Sequence, residues 1–187
     1  MCIYDDCPVW ENSGFRLEFV SLEHSNDLLK VYSDVKSVPL FNSDNCGGDI
    51  FYYTSCEEMT DAIKYWQWEY SRKGFVRMSV IDILTNESVG TVEMFVRYSD
   101  DYFDDTLLLR VDLRSDYETQ TVICSLMSLI ICNCFDYFDC KSISTKAIPV
   151  ANERISALLK CGFLHSSELL YGHDGTPYSD YYIFFKD

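Results

Sequence analysis

TLLLRVDLRSDYETQTVICSLMSLIICNCFDYFDCKSISTKAI, residues Thr106–Ile148, contains a strand pattern, a long apolar helix pattern and a second strand pattern in succession. Thr106–Leu113 alternates leucine or valine with mostly polar residues, which is typical of a β-strand with one buried face. Asp116–Phe138 is mostly apolar and predicts a buried helix, and Lys141–Ile148 predicts another strand. Because a helix that joins two strands of one sheet normally makes a crossover, this order predicts one parallel strand pair.

Antiparallel strands are predicted immediately before this unit. Phe75–Ile83 and Val89–Arg97 place valine and methionine at alternate positions, and a turn containing Asn86 separates them. The acidic loop Ser99–Asp105 then leads into the strand Thr106–Leu113. The three strands are therefore expected to form an antiparallel meander.

The N-terminal half predicts one strand and two helices. Phe15–Leu22 alternates like a strand, and Leu28–Tyr32 carries the apolar face of a short helix. Ser55 and Glu58 form a capping-box pattern at the start of the clearest helix, which Gly74 is placed to end.

The C-terminal part predicts one more helix and two strands. Asn152–Cys161 has helical spacing and is followed by Gly162, and Phe163–Leu170 and Tyr178–Phe185 have strand patterns. The complete order, β-α-α-β-β-β-α-β-α-β-β, predicts an α+β fold. Its sheet is mixed, mostly antiparallel and seven-stranded, and about four helices flank it.

The length and composition fit one folded domain. The chain has 187 residues, of which 48% are hydrophobic, so it can bury a full core. No repeat or linker divides it, and we expect a single domain over residues 1–187 with a loose N-terminal extension over 1–14.

The charge is strongly acidic. Thirty acidic and 15 basic residues give a net charge of −15. Binding to a nucleic acid or to an anionic membrane needs a basic face, and none is evident, so both are set aside as partners. An acidic field favours cationic partners such as amines.

The cysteines and the apolar runs indicate a cytoplasmic protein without a metal site. Nine cysteines at irregular spacings include no C-x-x-C pair. Met1–Trp10 has no apolar signal region, and the longest apolar run, Val122–Phe135, is shorter than the roughly 18 residues of a membrane span. We therefore expect a reducing compartment, the cytoplasm.

Three short motifs, in this order and at these separations, resemble the GNAT N-acetyltransferases, in particular the branch that acetylates ribosomal-protein N-termini. Phe15–Glu18 (FRLE) is similar to the opening strand of that family. Ser88–Val92 (SVGTV) resembles its third strand, and Asn152–Phe163 (NERISALLKCGF) resembles its closing signature. The resemblance covers about residues 15–186 and implies a GNAT-like fold with acetyl-CoA as co-substrate.

The chain departs from the family at the cofactor motif, R/Q-x-x-G-x-G/A. The matching stretch is Glu118–Ile123, where Glu118 replaces the basic residue and Thr121 and Ile123 replace the two small residues. Backbone N–H groups remain available to a diphosphate, but Cβ atoms crowd its approach and the added carboxylates oppose its charge. The resemblance places the cofactor on eight residues: Leu113, Arg114, Thr119, Gln120, Thr121, Val122, Ile123 and Asn152.

Three residues are candidates for proton transfer. Glu93 and Asp112 lie on the strands nearest the predicted acyl position and could act as the base. The alternatives are a solvated carboxylate for Glu93 and a structural partner of Arg110 or Arg114 for Asp112. Ser156 is a possible acid for the thiolate, although a serine on a helix face is more common.

Two functional hypotheses follow. The first is an N-acetyltransferase that acts on a primary amine, either a protein N-terminus, a polyamine or a small amine, as a monomer or homodimer. The second is a catalytically inactive GNAT-like binding or regulatory module, which the altered motif favours. An unrelated α/β domain is a weaker third option. The loop Phe41–Tyr53 lies where relatives place a substrate lid, or it is a plain surface loop.

Overall fold

The computed structural model describes residues 2–186, which form an eight-stranded mixed sheet, a two-stranded ribbon and four α-helices. The helices are α1 (Ser25–Tyr32), α2 (Cys56–Ser71), α3 (Gln120–Tyr137) and α4 (Asn152–Lys160). The strands are β1 (Trp10–Glu11), β2 (Phe15–Phe19), β3 (Val76–Asp82), β4 (Ser88–Arg97), β5 (Thr106–Leu113), β6 (Ser142–Lys146), β7 (Leu164–His165), β8 (Leu170–Tyr171), β9 (Pro177–Tyr178) and β10 (Tyr181–Phe185). The predicted α+β class and mostly antiparallel sheet are confirmed.

The sheet order is β1-β2-β3-β4-β5-β6-β10-β7, and β8 pairs with β9 separately. Every neighbouring pair in the large sheet is antiparallel except β5 and β6. These two strands flank α3 in the chain, so the predicted crossover is present.

The two faces of the sheet carry different chemistry because alternate residues of a strand point to opposite sides. One face is apolar and packs against α3 and α4. Val92 and Met94 of β4 lie there in one buried cluster with Leu126 of α3 and Leu158 of α4. The other face lies under α1 and α2 and contains buried polar residues.

The predicted start of α2 is confirmed, but its end differs in detail. The Ser55 hydroxyl accepts a hydrogen bond from the Glu58 N–H at 3.2 Å, and the Glu58 carboxylate accepts one from the Ser55 N–H at 3.0 Å. After the helix, it is Lys73, one residue before Gly74, that takes the left-handed conformation (φ 62°). A Cβ at Gly74 would lie 2.0 Å from Oε2 of Glu69, so a larger residue there would require only that this flexible carboxylate move aside.

The N-terminal segment differs from the expected loose extension. Within residues 2–14, Ile3 is fully buried, and Trp10 is 4% exposed and pairs with Leu17 of β2. This strand makes the sheet eight-stranded instead of seven-stranded. The strand β1 has only two residues, Trp10 and Glu11, which are too few to show an alternating pattern, so the sequence did not predict it. Met1 and Asp187, the ends of the predicted 1–187 domain, lie outside the described residues.

Among residues 2–186, one helix, Gln120–Tyr137, is long and apolar enough to cross a membrane, with a mean hydropathy of 1.3. Its inner residues form part of the core beside the sheet. Its exposed positions are Thr121, Ser128, Cys132 and Asp136, which form a polar outer face. We interpret it as the core helix of the β5-α3-β6 crossover.

Candidate functional site

The parallel strands β5 and β6 part at their C-terminal ends. Their pairing runs from Thr106 opposite Ser142 to Leu109 opposite Thr145. β5 then continues for four residues, 110–113, which pair only with β4. Beyond the two strand ends lies a cavity of about 350 Å³. Its walls come from the turn before α3, the first turn of α4 and the backbone near Leu40.

The first amide of α3 lies beside this cavity, and a carboxylate of the cavity wall binds it. The Gln120 N–H donates a hydrogen bond to Oε2 of Glu153 at 2.7 Å. Thr119 caps the helix, because its hydroxyl accepts a hydrogen bond from the Val122 N–H at 3.4 Å. The partial positive charge of a helix N-terminus attracts anions, so Glu153 takes a position that would suit a phosphate.

An arginine of α4 supplies the cation that the altered motif lacks. Arg154 is 3% exposed and binds Glu118 through two hydrogen bonds, Nε to Oε1 at 2.7 Å and Nη2 to Oε2 at 2.8 Å. Its Nη1 donates to the carbonyl oxygen of Leu40 at 3.1 Å. The Glu118 carboxylate, which was expected to oppose the charge of a diphosphate, is therefore paired with a buried cation that sequence spacing did not predict.

The structure separates the eight expected cofactor residues into three groups. Asn152 lines the cavity, and Thr119 and Gln120 adjoin its wall, because the Gln120 N–H binds Glu153. Leu113 and Ile123 are each 1% exposed and belong to the apolar core. Of the other three, Thr121 is exposed in the first turn of α3, Val122 packs against the core, and Arg114 binds Asp116 at 2.7 Å.

A buried ionic network occupies the other face of the sheet at the same level. Arg77 is fully buried and binds Glu93, and its Nη1 lies 3.0 Å from Oδ2 of Asp112. The Tyr32 hydroxyl also donates to Oδ2 of Asp112, at 2.9 Å. The Trp66 ring lies 4.3 Å from the guanidinium carbon of Arg77. Glu93 and Asp112 are thus brought together, as two strand positions facing one arginine.

The two carboxylates of this network have pKa values displaced in opposite directions. Burial disfavours the charge of Glu93, but Arg77 and Arg110 outweigh burial and hold the pKa of Glu93 below its usual range. Burial dominates at Asp112 and raises its pKa, although Arg77 and the Tyr32 hydroxyl act in the other direction. Oδ1 of Asp112 is buried and has no hydrogen-bond partner among the described residues. Asp112 is therefore the better proton acceptor of the two.

The expected acid Ser156 lies apart from this network. It is exposed, whereas Arg154, Ala157 and Leu158 form the buried side of the same helix. A helical residue two positions from Arg154 faces a different direction, which is why the sequence spacing was misleading. Ser156 is not near the cleft.

The segment Phe41–Tyr53 lies across the polar face of the sheet and is anchored there. The Asp44 carboxylate accepts a hydrogen bond from Lys146 Nζ at 2.7 Å and one from the Tyr181 hydroxyl at 3.1 Å. Nη2 of Arg110 donates to the Asp44 carbonyl at 2.8 Å. A cavity of about 510 Å³ extends beside these groups, also lined by Phe95.

Sequence reasoning missed Arg77, Glu153, Arg154 and Asp44. Arg77 alternates with Val76 and Met78, so the strand pattern did place it on the polar face. Its partners become visible only once the register is known, because Arg77 pairs with Glu93 across β3 and β4. Glu118 and Arg154 are 36 residues apart, and no local pattern connects them.

Within residues 2–186 no group of three or more His, Cys, Asp or Glu side chains is arranged to hold a metal ion. All nine cysteines are free thiols.

Comparison with known proteins establishes the fold. No protein-family model and no curated protein sequence matches the chain. Solved structures match over nearly its whole length at low identity. One of them is described as a putative ribosomal-protein-serine acetyltransferase from Vibrio cholerae. It is 13% identical to this chain with a TM-score of 0.68, and the match covers 96% of this chain and 98% of the other. An acetyltransferase from Salmonella typhimurium that modifies the N-terminal serine of a 50S ribosomal subunit protein is 11% identical with a TM-score of 0.68, covering 96% and 100%.

The microcin C7 self-immunity acetyltransferase, solved with acetyl-CoA and AMP, is 13% identical with a TM-score of 0.70 and 94% coverage of both chains. This chain therefore has the fold of the GNAT acetyltransferases, and the resemblance seen in its sequence is confirmed at that level.

Proposed function

We propose that the protein is an N-acetyltransferase that moves an acetyl group from acetyl-CoA to a primary amine. The observation that carries the proposal is the parting of β5 and β6 beside the N-terminus of α3. This arrangement leaves one edge of residues 110–113 without a strand partner. An extended ligand with amide groups, such as pantetheine, suits such an edge, and a diphosphate suits the helix end.

The residues at the cleft fit this chemistry in part. The Gln120 N–H, Arg154 and Asn152 are suited to the diphosphate, whereas Glu118 and Glu153 must move away from it. In the transfer, the amine nitrogen forms a bond to the thioester carbon and the carbon–sulfur bond breaks. Asp112 takes the proton lost by the amine, through water because it is buried, and the thiolate takes a proton from solvent.

The acceptor is a cation at neutral pH, either a protein N-terminus, a polyamine or a small amine. The net charge of −15 attracts such a molecule and repels nucleic acids and anionic membranes. Two of the structures with this fold are described as acting on ribosomal proteins, which keeps a protein N-terminus among the acceptors. A monomer or homodimer in the cytoplasm remains our expectation.

Calorimetric titration with acetyl-CoA tests the proposal. We expect saturable binding in the micromolar range, about −8 kcal/mol or weaker. A thiol-release assay over a panel of amines then identifies the acceptor. Absence of heat at millimolar acetyl-CoA, in a protein whose circular dichroism shows it folded, would overturn the proposal.

A second function is supported by one observation, the internal filling of the cleft. Glu153 on the Gln120 N–H and Arg154 on Glu118 satisfy the groups that a cofactor would use. A GNAT-like module that binds a partner without catalysis would retain this closed arrangement permanently. It predicts that neither the natural chain nor variants of these residues bind acetyl-CoA.

A further inference from the structure

The cleft is closed by three charged side chains that belong to two elements. Glu153 and Arg154 are consecutive residues of α4, and they reach different partners. Glu153 accepts from the Gln120 N–H at 2.7 Å, and Arg154 holds Glu118 in the turn before α3 at 2.7 and 2.8 Å. The start of α4 is thus fastened to the start of α3 across the cavity of about 350 Å³.

The same arginine extends the connection to the other face of the sheet. Its Nη1 donates to the Leu40 carbonyl at 3.1 Å. Leu40 directly precedes the segment Phe41–Tyr53, whose Asp44 is held by Lys146. Arg154 therefore contacts both the proposed cofactor cleft and the residue directly before the segment Phe41–Tyr53. This segment lies across the polar face of the sheet, which carries the proposed base Asp112, and we take that face as the acceptor side.

We propose that Glu118, Glu153 and Arg154 form an autoinhibitory latch. Glu153 occupies the helix amide that the diphosphate of acetyl-CoA would take, and Arg154 ties this closed end to the segment over the acceptor side. This inference rests on the proposed function, because it concerns the regulation of the same site.

Competition follows from the charges involved. A diphosphate and the Glu153 carboxylate are both anions, and the amide of Gln120 can serve one of them at a time. The diphosphate also competes with Glu118 for Arg154, because two of the five N–H groups of Arg154 already bind Glu118 and a third binds the Leu40 carbonyl. For a ligand that binds only the open form, the apparent Kd equals the intrinsic Kd divided by the fraction of molecules that are open.

Release of the latch has a consequence at a distance. When Arg154 turns from Glu118 to a phosphate, its hydrogen bond to Leu40 is lost or redirected. The segment Phe41–Tyr53 keeps its other anchors, among them the Asp44 carboxylate and the buried rings of Phe41 and Phe51. Cofactor binding is therefore expected to loosen the end of this segment that adjoins Leu40 before the amine enters.

Binding to latch variants provides the first test. Acetyl-CoA and ADP are titrated into the natural protein, Glu153→Gln and Glu118→Gln, with Glu57→Gln as the matched control. Glu57 is an exposed carboxylate in the first turn of α2, so its change removes the same charge from another helix start. We expect the first two variants to bind both ligands about threefold or more tightly than the control variant. Because ADP carries the diphosphate without pantetheine, an equal gain for both ligands locates the effect at the helix end.

Hydrogen exchange without any ligand provides the second test. Arg154→Met is compared with Lys160→Met, an exposed position on the same helix. We expect faster amide exchange in residues 38–53 of Arg154→Met and unchanged exchange in the control. If Arg154→Met does not fold, the double variant Glu118→Gln/Arg154→Met removes both partners and leaves neither charge buried alone.

The outcomes separate the latch from the proposed function. Equal affinity of all proteins for acetyl-CoA overturns the latch and leaves the acetyltransferase standing. No binding by any protein overturns the acetyltransferase and the competition together. Unchanged exchange in residues 38–53 overturns the connection through Leu40 in either case.

Discussion

Arg77 places a permanent charge in the protein interior between two carboxylates and an indole ring. Its guanidinium is fully buried, and Glu93 and Asp112 are 2% and 1% exposed. A buried ion pair contributes little net stability, but removing one partner leaves the other charge buried and unpaired. Arg77 therefore makes the polar face of the sheet compatible with burial under α1 and α2.

Arg77→Met tests this dependence. We expect the free energy of unfolding, measured with urea, to fall by about 3–5 kcal/mol, because Glu93 and Asp112 lose the cation they share. Arg72→Met is the matched control, since Arg72 is exposed at the end of α2 and lies on the Trp68 ring. A loss below about 1 kcal/mol would show that water or proton uptake compensates the two carboxylates.

Asp101 holds the acidic loop Ser99–Asp105 in place. Its carboxylate accepts hydrogen bonds from Arg97, from the Phe103 N–H at 2.9 Å and from the Tyr171 N–H at 3.0 Å. Partial burial works against the charge, but these donors lower the pKa of Asp101 to about 2. The loop is thereby joined to the ribbon strand β8.

The pH dependence of stability follows from that direction. The pKa of Asp101 is lower in the folded chain than in the unfolded one, which is near 3.9 for an aspartate. Its contribution is fully present above about pH 4 and is lost as the pH falls towards 2. We expect Asp101→Asn to be less stable than the natural protein at pH 6 and the difference to shrink towards pH 2, measured by urea denaturation. Asp100→Asn, a neighbouring exposed position, is the control. A difference independent of pH would contradict the assignment.

At the scale of elements, the start of α3 decides whether a diphosphate can approach. Thr121 is the second residue of the helix and is exposed, so its branched side chain stands where the family has a small residue. We expect Thr121→Gly to tighten acetyl-CoA binding in a calorimetric titration, because the backbone then becomes approachable. Ser128→Gly, an exposed position of the same helix, controls for the general cost of a glycine, about 0.5–1 kcal/mol. Unchanged affinity would remove the diphosphate from this turn.

The same elements show what a sequence can and cannot predict. The capping box at Ser55 and the turn containing Asn86 are local features, and both are present as predicted, with Asn86 at φ 57°. The expected helix start at Asp116 moves to Gln120, because Thr119 caps the helix and the preceding residues form a turn. The Arg154–Glu118 pair depends on how two helices meet, which no local pattern encodes.

At the scale of the whole molecule, the fold was predictable because its order of elements depends on hydrophobic periodicity. The site was predictable only in outline, since the polar face of the sheet was visible as alternating residues such as Arg77 and Asp112. That Arg77, Glu93 and Asp112 contact one another could be known only from the register of β3, β4 and β5. The final strands were shorter than predicted: Phe163–Leu170 contains only β7 and the first residue of β8.

The net charge of −15 gives the whole molecule a further measurable property. The chain has 30 acidic and 15 basic side chains, so half of the carboxylates have no basic side chain to neutralise them. Repulsion between these carboxylates therefore remains in the folded state. Salt weakens this repulsion by shortening the Debye length from about 30 Å at 0.01 M to about 10 Å at 0.1 M. Salt also weakens exposed ion pairs such as Lys64 with Asp61, but these contribute about 0–1 kcal/mol each. Repulsion therefore dominates, and we expect the Tm to rise between 0.01 and about 0.1 M sodium chloride. Sorbitol at equal osmolarity controls for effects other than charge, and a Tm that falls with added salt would show that ion pairs outweigh repulsion.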